Sequence, residues 1–128
     1  MPEAAKPPPS RQVLIVEDDP LIRMFGVDLL EDAGFEVIDA SSADEALAIL
    51  ERSPEVRLVF TDIDMPGSMN GLELAELVHR RWPNVKLLVT SGHHMLSDSQ
   101  IPDDGHFMPK PYSTVAVVHE IGQMLAGE

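Results

Sequence analysis

The sequence predicts a doubly wound α/β fold, in which helices cover both faces of a five-stranded parallel sheet. Two observations lead to this prediction. Short apolar runs alternate five times with longer segments whose apolar residues recur at helical spacing. Each short run is apolar at successive positions, as expected for a strand that is buried on both faces. Such alternation calls for parallel strands joined by right-handed helical crossovers.

The first elements along the chain are two strands and the helix between them. Residues 13–16 form a β-branched apolar run that stops abruptly at acidic residues. Pro20 opens the following helix, because proline is favoured in a first helical turn, and Gly34 ends it. Residues 36–39 then form the second strand.

The central part of the chain contains the next two helices and the third strand. Ser42 can cap the second helix, and Glu45 three residues later completes a predicted capping box. Residues 58–60 form the third strand. The third helix covers about residues 70–82 and must stop before Pro83, because a residue that precedes proline avoids the helical conformation.

The last part of the chain contains two strands and two helices. Residues 87–89 form the fourth strand, and residues 106–108 form a fifth that is less apolar. A short fourth helix is expected over residues 94–100, although this segment is rich in serine and is followed by proline and glycine. Residues 113–126 form the last helix.

The length of 128 residues suits one domain with a sizeable core. Residues 1–10 include three consecutive prolines and little to bury, so they are expected to form a flexible, solvated leader. Residues 11–126 are expected to form the domain. No effector domain is expected beyond it, so any output should occur through protein contacts.

Composition and charge exclude several classes of function. The chain has no cysteine and no apolar stretch of signal-peptide or membrane-spanning length, so a cytoplasmic protein without membrane contact is expected. Its 9 basic and 22 acidic residues give a formal net charge of -13. Because the basic residues are scattered, this charge argues against binding of nucleic acid.

Three acidic residues follow two of the predicted strands. Glu17 and Asp18 come directly after the first strand, and Asp62 follows the third. The carboxyl ends of parallel strands meet at one edge of the sheet, so these carboxylates should lie together and repel one another. A hard divalent cation relieves this repulsion, and a few oxygen ligands suit Mg²⁺ better than Ca²⁺. Asp19, just before the helix, suits an N-cap.

A hydroxyl and an ammonium complete this edge. Thr90 follows the fourth apolar run, and Lys110 follows the fifth strand. With Mg²⁺, they would surround one carboxylate with the partners that the oxygens of a transferred phosphoryl group require. One carboxylate of this cluster can act as the nucleophile and form an acyl phosphate. The sequence therefore predicts a carboxylate that accepts a phosphoryl group at this edge of the sheet.

Several segments together carry a resemblance to a known family. They are VLIVEDDP at 13–20, TDIDMPG at 61–67, NGLEL at 70–74, LVTS at 88–91 and KPY at 110–112. In order and spacing they resemble the receiver domain of two-component response regulators, over about residues 11–126. The resemblance implies a flavodoxin-like (βα)5 fold with strand order 2-1-3-4-5. It also implies a switch, not an enzyme that acts on an external metabolite.

The resemblance assigns roles to the acidic residues. Asp62 matches the phosphoacceptor, and Glu17 and Asp18 match the acidic pair that binds Mg²⁺ together with Asp62. The backbone carbonyl of Asp64 matches a further metal ligand. The side chain of Asp64 is expected to lie beside the phosphoryl site and to modulate hydrolysis of the acyl phosphate.

The resemblance also assigns roles to residues of the fourth and fifth strands. Thr90 matches the hydroxyl that moves toward the phosphoryl group, and Lys110 matches the lysine that pairs with it. Ser91 remains an alternative for the hydroxyl and a candidate modulating residue. Phe107 matches the switch aromatic, with an ordinary core phenylalanine as the alternative. Pro111 is expected to follow a cis peptide bond.

Partners follow from the same resemblance. The five histidines lie on predicted helices and loops without a shared ligand spacing, so surface roles are expected for them. The phosphoryl group should therefore come from a partner, which is a sensor histidine kinase or a histidine phosphotransfer protein. The surface of the fourth helix, fifth strand and last helix should contact a downstream protein target or form a phosphorylation-dependent homodimer.

Two alternative functions remain open from the sequence. A haloacid-dehalogenase-type phosphatase also uses an aspartyl phosphate, but Pro66 and the position of the acidic pair before the nucleophile depart from its pattern. A degenerate receiver that acts only as a scaffold is the second alternative. The intact set of acids, hydroxyl and lysine argues against it.

The sequence also departs from the common receiver pattern in one loop. Residues 65–71 form a loop one residue longer than the commonest form, and Asn70 stands where aspartate is frequent. Neither change is expected to touch the phosphoryl group.

Overall fold

One parallel sheet has five strands in the spatial order β2-β1-β3-β4-β5. The computed structural model describes residues 12–67, 69–93, 95–102 and 105–126, so the predicted leader over residues 1–10 lies outside the described residues. The strands are β1 Gln12–Val16, β2 Glu36–Ala40, β3 Val56–Asp62, β4 Lys86–Ser91 and β5 His106–Pro109. The predicted doubly wound sheet and its strand order are confirmed.

The described residues contain four α-helices. They are α1 Pro20–Asp32, α2 Ala43–Arg52, α3 Gly71–Arg81 and α4 Thr114–Ala126. Each of the four follows a residue whose side-chain oxygen accepts from a backbone N–H group of the first turn, as helix N-caps do. Within the described parts of the chain, no helix combines the length and the hydropathy that crossing a bilayer requires.

The caps differ in detail from the predicted ones. The Asp19 carboxylate accepts from the backbone N–H groups of Leu21 and Ile22 at 2.9 and 3.1 Å, so its predicted capping role is confirmed. Ser42 Oγ accepts from the N–H of Glu45 at 3.1 Å, but the Glu45 carboxylate binds the N–H of Ser41 at 2.7 Å. The predicted capping box of α2 is thus only half formed.

The third helix has the complete capping box. The Asn70 side chain accepts from the N–H of Glu73, and the Glu73 carboxylate accepts from the N–H of Asn70, both at 2.9 Å. An asparagine oxygen therefore does here what an aspartate oxygen does at other N-caps. The substitution noted in the sequence leaves the start of α3 intact.

The predicted fourth helix over residues 94–100 is wrong. In the described part of this segment only Asp98–Gln100 is helical, as a single 3₁₀ turn, and His94 lies outside the described residues. Serine side chains compete with the helix for backbone hydrogen bonds, and Pro102 and Gly105 limit its extension. The (βα)5 pattern is therefore realised with four α-helices, and the last of them is α4.

The core lies on both faces of the sheet. Leu14 and Val16 of β1 point to the face that carries the buried residues of α2 and α3, and Val13 and Ile15 point to the face that carries those of α1 and α4. All four side chains are at most 3% exposed. This confirms that the successive apolar residues of the first run mark a strand covered on both sides.

Candidate functional site

Three carboxylates meet at the carboxyl edge of the sheet. Glu17 and Asp18 follow the end of β1, and Asp62 is the last residue of β3. One oxygen of each lies within 4.8 Å of an oxygen of the other two. Glu17 and Asp62 are 5% and 4% exposed, whereas Asp18 is more open to solvent. The three acids that the sequence predicted to cluster therefore do so.

Lys110 places its ammonium between two of these acids. Its Nζ lies 2.9 Å from Asp62 Oδ2 and 3.4 Å from Glu17 Oε1. Its backbone N–H donates to the carbonyl of Ser91 at 2.9 Å, which anchors the end of β5 to β4. The peptide bond between Lys110 and Pro111 is cis, as expected.

Burial and charge shift the proton affinities of these groups. Burial raises the pKa of the Glu17 carboxyl, and the charge of Asp62 adds to this, whereas the N–H of Asp19 and the charge of Lys110 act against it without cancelling it. Burial lowers the pKa of Lys110, but the hydrogen bonds and negative charges of Asp62 and Glu17 together raise it by more. The pKa of Lys110 therefore lies above its ordinary value of 10.5. Lys110 therefore stays cationic at neutral pH, and its ion pairs weaken only as the pH rises through that raised pKa.

Thr90 and Ser91 offer two hydroxyl groups that differ in their bonding. Thr90 stands directly opposite Asp62 in the pairing of β3 with β4. The Thr90 hydroxyl is buried and has no hydrogen-bond partner among the described residues. Ser91 Oγ, in contrast, donates to Asp64 Oδ2 at 2.6 Å and accepts from the N–H of His93 at 3.0 Å. A buried hydroxyl without a partner is uncommon, because it forfeits a hydrogen bond that water would supply.

Asp64 sits beside the site and is held from two sides. Its backbone N–H donates to Asp62 Oδ1 at 3.1 Å, while its carboxylate accepts from Ser91. The bond from Ser91 connects the loop after β3 to the end of β4, and the bond to Asp62 connects the loop to the end of β3. Asp64 is thus placed next to Asp62, as expected, and its roles as a backbone metal ligand and as a modulating residue stay predictions.

Phe107 lies farther from the acids. Its partly buried ring packs against the core cluster under α2 and α3. Its backbone N–H donates at 2.9 Å to the carboxylate of Asp98, a residue that the sequence did not single out. The role of Phe107 as a switch aromatic stays a prediction.

Two residues near the site escaped the sequence reasoning. Arg23 of α1 donates from Nη1 to the backbone carbonyl of Glu17 at 2.8 Å and from Nε to Asp39 Oδ2 at 3.0 Å. Tyr112 packs against Phe60 with ring centroids 5.7 Å apart. Arg23 stands one turn into the helix after the acidic pair, and this position is the signal that could have identified it.

The donor set of the three acids fits a hard cation. It consists of carboxylate oxygens alone, with no thiolate or imidazole, and one of the acids opens to solvent. Such a set leaves coordination positions for water and for phosphoryl oxygen, which matches the preferences of Mg²⁺.

An apolar surface borders the site. On α1, Leu21, Met24 and Phe25 are 75%, 58% and 58% exposed. A shallow, mostly apolar groove of about 460 Å³ lies between this helix and the segments after β4 and β5, and its lining residues are Ile22, Phe25, Gly92, Lys110, Pro111 and Tyr112. One wall of the groove is thus the lysine that contacts Asp62.

The sequence matches a family model and several curated proteins. The model of the response regulator receiver domain matches residues 13–114. The response regulator receiver protein CpdR of Brucella abortus is 34% identical over 118 residues, covering 90% of this chain and 97% of CpdR. The sensor kinase CckA of the same organism is 35% identical over 120 residues, which cover 91% of this chain but only 13% of CckA.

Solved structures share the fold. A CheY-like response regulator receiver domain protein from Methanospirillum hungatei JF-1 superposes with a TM-score of 0.81 at 31% identity, covering 92% of this chain and 95% of that one. The receiver domain of the hybrid histidine kinase CckA superposes with a TM-score of 0.77 at 27% identity, covering 89% and 98%.

Proposed function

This chain belongs to the response regulator receiver domain family, and from that membership we propose that it is a phosphorylation switch whose acceptor is Asp62. Receiver domains are typically phosphoacceptor switches, not enzymes. The observation that carries the proposal is the setting of Asp62: a buried carboxylate in contact with the Lys110 ammonium, within a cluster of two further acids. Family membership favours this switch over a dehalogenase-type phosphatase.

The proposed chemistry is transfer of a phosphoryl group to the Asp62 carboxylate. A carboxylate oxygen attacks phosphorus, the new P–O bond forms an acyl phosphate, and the bond from phosphorus to the donor nitrogen or oxygen breaks. Lys110 neutralises charge on the phosphoryl oxygens from its place beside Asp62. The unpartnered Thr90 hydroxyl can donate to one of these oxygens.

Mg²⁺ is the proposed cofactor. The carboxylates of Glu17, Asp18 and Asp62 would hold it, with the backbone carbonyl of Asp64 as a further ligand. When bound, the ion shields the negative charges of acceptor and phosphoryl group from each other.

Incubation with acetyl phosphate tests the proposal. In the presence of Mg²⁺ the intact mass of the native chain should rise by one phosphoryl group, and excess EDTA should prevent the rise. No gain with acetyl phosphate or phosphoramidate would favour the scaffold alternative. Turnover of a phosphomonoester such as p-nitrophenyl phosphate would instead revive a phosphatase.

The natural donor is proposed to be a sensor histidine kinase or a histidine phosphotransfer protein, docked on α1. A protein donor must bring its phosphohistidine to Asp62, and Ile22 and Phe25 of the exposed apolar surface of α1 line the groove that reaches Lys110. Burial of this apolar area favours binding by about 25 cal/mol per Å² before the entropic costs of association are subtracted. The kinase-domain and whole-protein activities of longer relatives such as CckA are not implied for this chain.

Phe25→Asp should slow phosphorylation by protein donors more than phosphorylation by small-molecule donors. Introducing a charge into the proposed docking surface should slow phosphotransfer from a panel of phosphorylated histidine phosphotransfer domains by about tenfold or more, which corresponds to ~1.4 kcal/mol. Labelling by acetyl phosphate should change much less, because a small donor makes no use of a protein-docking surface. Rates are measured by radiolabel transfer.

A matched control for this variant is Ala48→Asp, which introduces the same charge at an exposed position of α2 on the other side of the sheet. It should transfer at the native rate. Native transfer rates in Phe25→Asp with every donor that phosphorylates the native chain would place the docking surface elsewhere.

Asp64 is proposed to limit the lifetime of the phosphorylated state. Its carboxylate is held close to Asp62 by Ser91 and therefore repels the negative phosphoryl group. We expect Asp64→Asn to lengthen the half-life of phospho-Asp62 about fivefold, as ~1 kcal/mol of like-charge repulsion would give. Decay is followed by loss of the phosphoryl mass after removal of the donor.

Ser91→Ala serves as the control for this prediction. It removes the hydrogen bond to Asp64 but keeps the carboxylate, so its half-life should change less than that of Asp64→Asn. An unchanged or shortened half-life in Asp64→Asn would contradict the proposal.

The remaining features are proposed from the family and the sequence. Residues 11–126 are proposed as the receiver domain, and the protein is proposed to act in the cytoplasm without binding nucleic acid or membrane. Phosphorylation signals through contacts with a downstream protein or by forming a homodimer, with Thr90 and Phe107 as the switch residues. A pull-down that compares the beryllofluoride-bound form with the free form would identify such a partner.

A further inference from the structure

Arg23 connects three elements next to the acidic cluster. From α1 its guanidinium reaches the carbonyl of Glu17, at the end of β1, at 2.8 Å and the carboxylate of Asp39, on β2, at 3.0 Å. Its side chain is only 21% exposed, whereas that of Asp39 is 50% exposed. Bonds to two different acceptors fix the guanidinium in one orientation, because its donors lie in one plane.

The hydrogen bond from Arg23 to Glu17 is made to the backbone between two of the clustered acids. The carbonyl that accepts it belongs to the peptide group between Glu17 and Asp18, which are two of the three clustered acids. The N–H of Glu17 donates to the carbonyl of Ala40 at 3.0 Å, and the N–H of Asp19 donates to the Glu17 carboxylate at 3.1 Å. Arg23 adds a bond on the carbonyl side, so the backbone between the two acids is held on each side.

We propose that Arg23 is a positioning residue for the cation site, acting through the Glu17–Asp18 peptide group. This inference rests on the proposed function, because it concerns the Mg²⁺ site of Glu17, Asp18 and Asp62. Past the end of β1 the ladder no longer orients the backbone, and displacement of that peptide group would move the Cα atoms that carry both carboxylates. Ligands must be held within about 0.5 Å of the productive geometry for a site to bind well.

The charge of Arg23 lowers the affinity for Mg²⁺, whereas its hydrogen bond to Glu17 raises that affinity. A cation near the site repels Mg²⁺, so removal of the charge alone would strengthen metal binding. Asp39 pairs with the guanidinium at 3.0 Å and offsets much of that charge. The positioning effect therefore prevails, and the sign of the change in affinity distinguishes the two roles.

Isothermal titration of the full chain with MgCl₂ tests the inference. Arg23→Gln should bind Mg²⁺ about tenfold more weakly than the native chain, the usual cost of losing a group that orients a metal ligand. Arg23→Lys should recover part of this loss, because an ammonium can still donate to the Glu17 carbonyl. Asp39→Asn removes the ion pair and keeps the bond to Glu17, so its affinity should stay within about threefold of native.

Thermal melting without Mg²⁺ separates positioning from stability. Arg23→Gln and Asp39→Asn both lose the ion pair and should melt within a few degrees of each other, while only Arg23→Gln loses affinity. If Arg23→Gln does not fold, Arg23→Lys carries the test, with weaker binding than Asp39→Asn as the expected result.

The outcomes distinguish this inference from the proposed function. Native affinity or tighter binding in Arg23→Gln, with clear Mg²⁺ binding by the native chain, would overturn the positioning role alone. Equal weakening in Asp39→Asn and Arg23→Gln would also overturn it, since the ion pair and not the bond to Glu17 would then matter. Absence of Mg²⁺ binding by the native chain would contradict the proposed function itself.

Discussion

Asp62→Asn should abolish phosphorylation by acetyl phosphate while the protein remains folded. The amide has nearly the same shape as the carboxylate but is not a nucleophile, so no acyl phosphate can form. Asparagine keeps an oxygen that can accept from the N–H of Asp64, a bond that measures 3.1 Å in the native chain. It loses the ion pair with Lys110, whose ammonium retains Glu17 at 3.4 Å as a partner.

Intact mass spectrometry after incubation with Mg²⁺ and acetyl phosphate measures this result. The native chain should gain one phosphoryl group, and the variant should gain none. Asp28→Asn, the same chemical change at an exposed position of α1, should be labelled like the native chain. A phosphoryl group that still appears in Asp62→Asn would mean that another residue accepts it, and peptide mapping would then locate that residue.

Gly71→Ala should destabilise the fold by about 3 kcal/mol, at the upper end of the usual cost of overpacking. Gly71 opens α3 directly against the end of β3. An added methyl group would overlap the carbonyl oxygen of Asp62 and would lie 2.6 Å from its carbonyl carbon and 2.9 Å from the Cα of Ile63. These are backbone atoms of the last residue of the central strand β3 and of the residue after it, so they cannot move aside as a flexible side chain would.

The same substitution should impair the site. The N–H of Gly71 donates to the carbonyl of Ile63 at 3.1 Å, so any shift of α3 pulls on the backbone next to Asp62. We therefore expect slower labelling by acetyl phosphate as well as a lower free energy of unfolding, the latter measured by urea titration.

Gly122→Ala in α4 is the matched control for this prediction. Its added methyl group would meet no atom within 4 Å, so the higher helix propensity of alanine should stabilise the protein by about 0.5–1 kcal/mol. A Gly71→Ala variant as stable as the native chain would show that α3 can move away from β3 without loss.

Periodicity predicted the strands and most helices because burial on two faces leaves a strong pattern. The apolar run at β1 and the acids directly after it located both the strand and the edge where Glu17 and Asp18 lie. The same reasoning failed between β4 and β5, where the pattern over residues 94–100 was helical in spacing but rich in serine. Local side-chain competition accounts for the absence of a longer helix there, and in the described part of the segment the 3₁₀ turn Asp98–Gln100 is the only helical turn.

Contacts between distant parts of the chain could not be read from the sequence. The approach of Gly71 to Asp62, the bond of Arg23 to Glu17 and the bond of Ser91 to Asp64 all depend on how elements pack. Gly71 carries no pattern that differs from an ordinary turn, and the position of Arg23 after the acidic pair indicates nearness to the site but not which groups its guanidinium binds.

The sequence alone determined the fold class, the edge of the sheet at which the acids meet and the identity of the candidate acceptor, Asp62. These follow from local properties, since burial sets the periodicity of strands and parallel strands bring their carboxyl ends to one edge. Only the tertiary structure decided which groups hold the site in place. These are the Lys110 ammonium 2.9 Å from Asp62, the Ser91 hydroxyl that donates to Asp64 while the Thr90 hydroxyl has no partner among the described residues, and the Arg23 guanidinium that donates to the Glu17 carbonyl. Hydrogen bonds and close packing depend on distances of a few tenths of an ångström between residues far apart in the chain, and periodicity carries no such information.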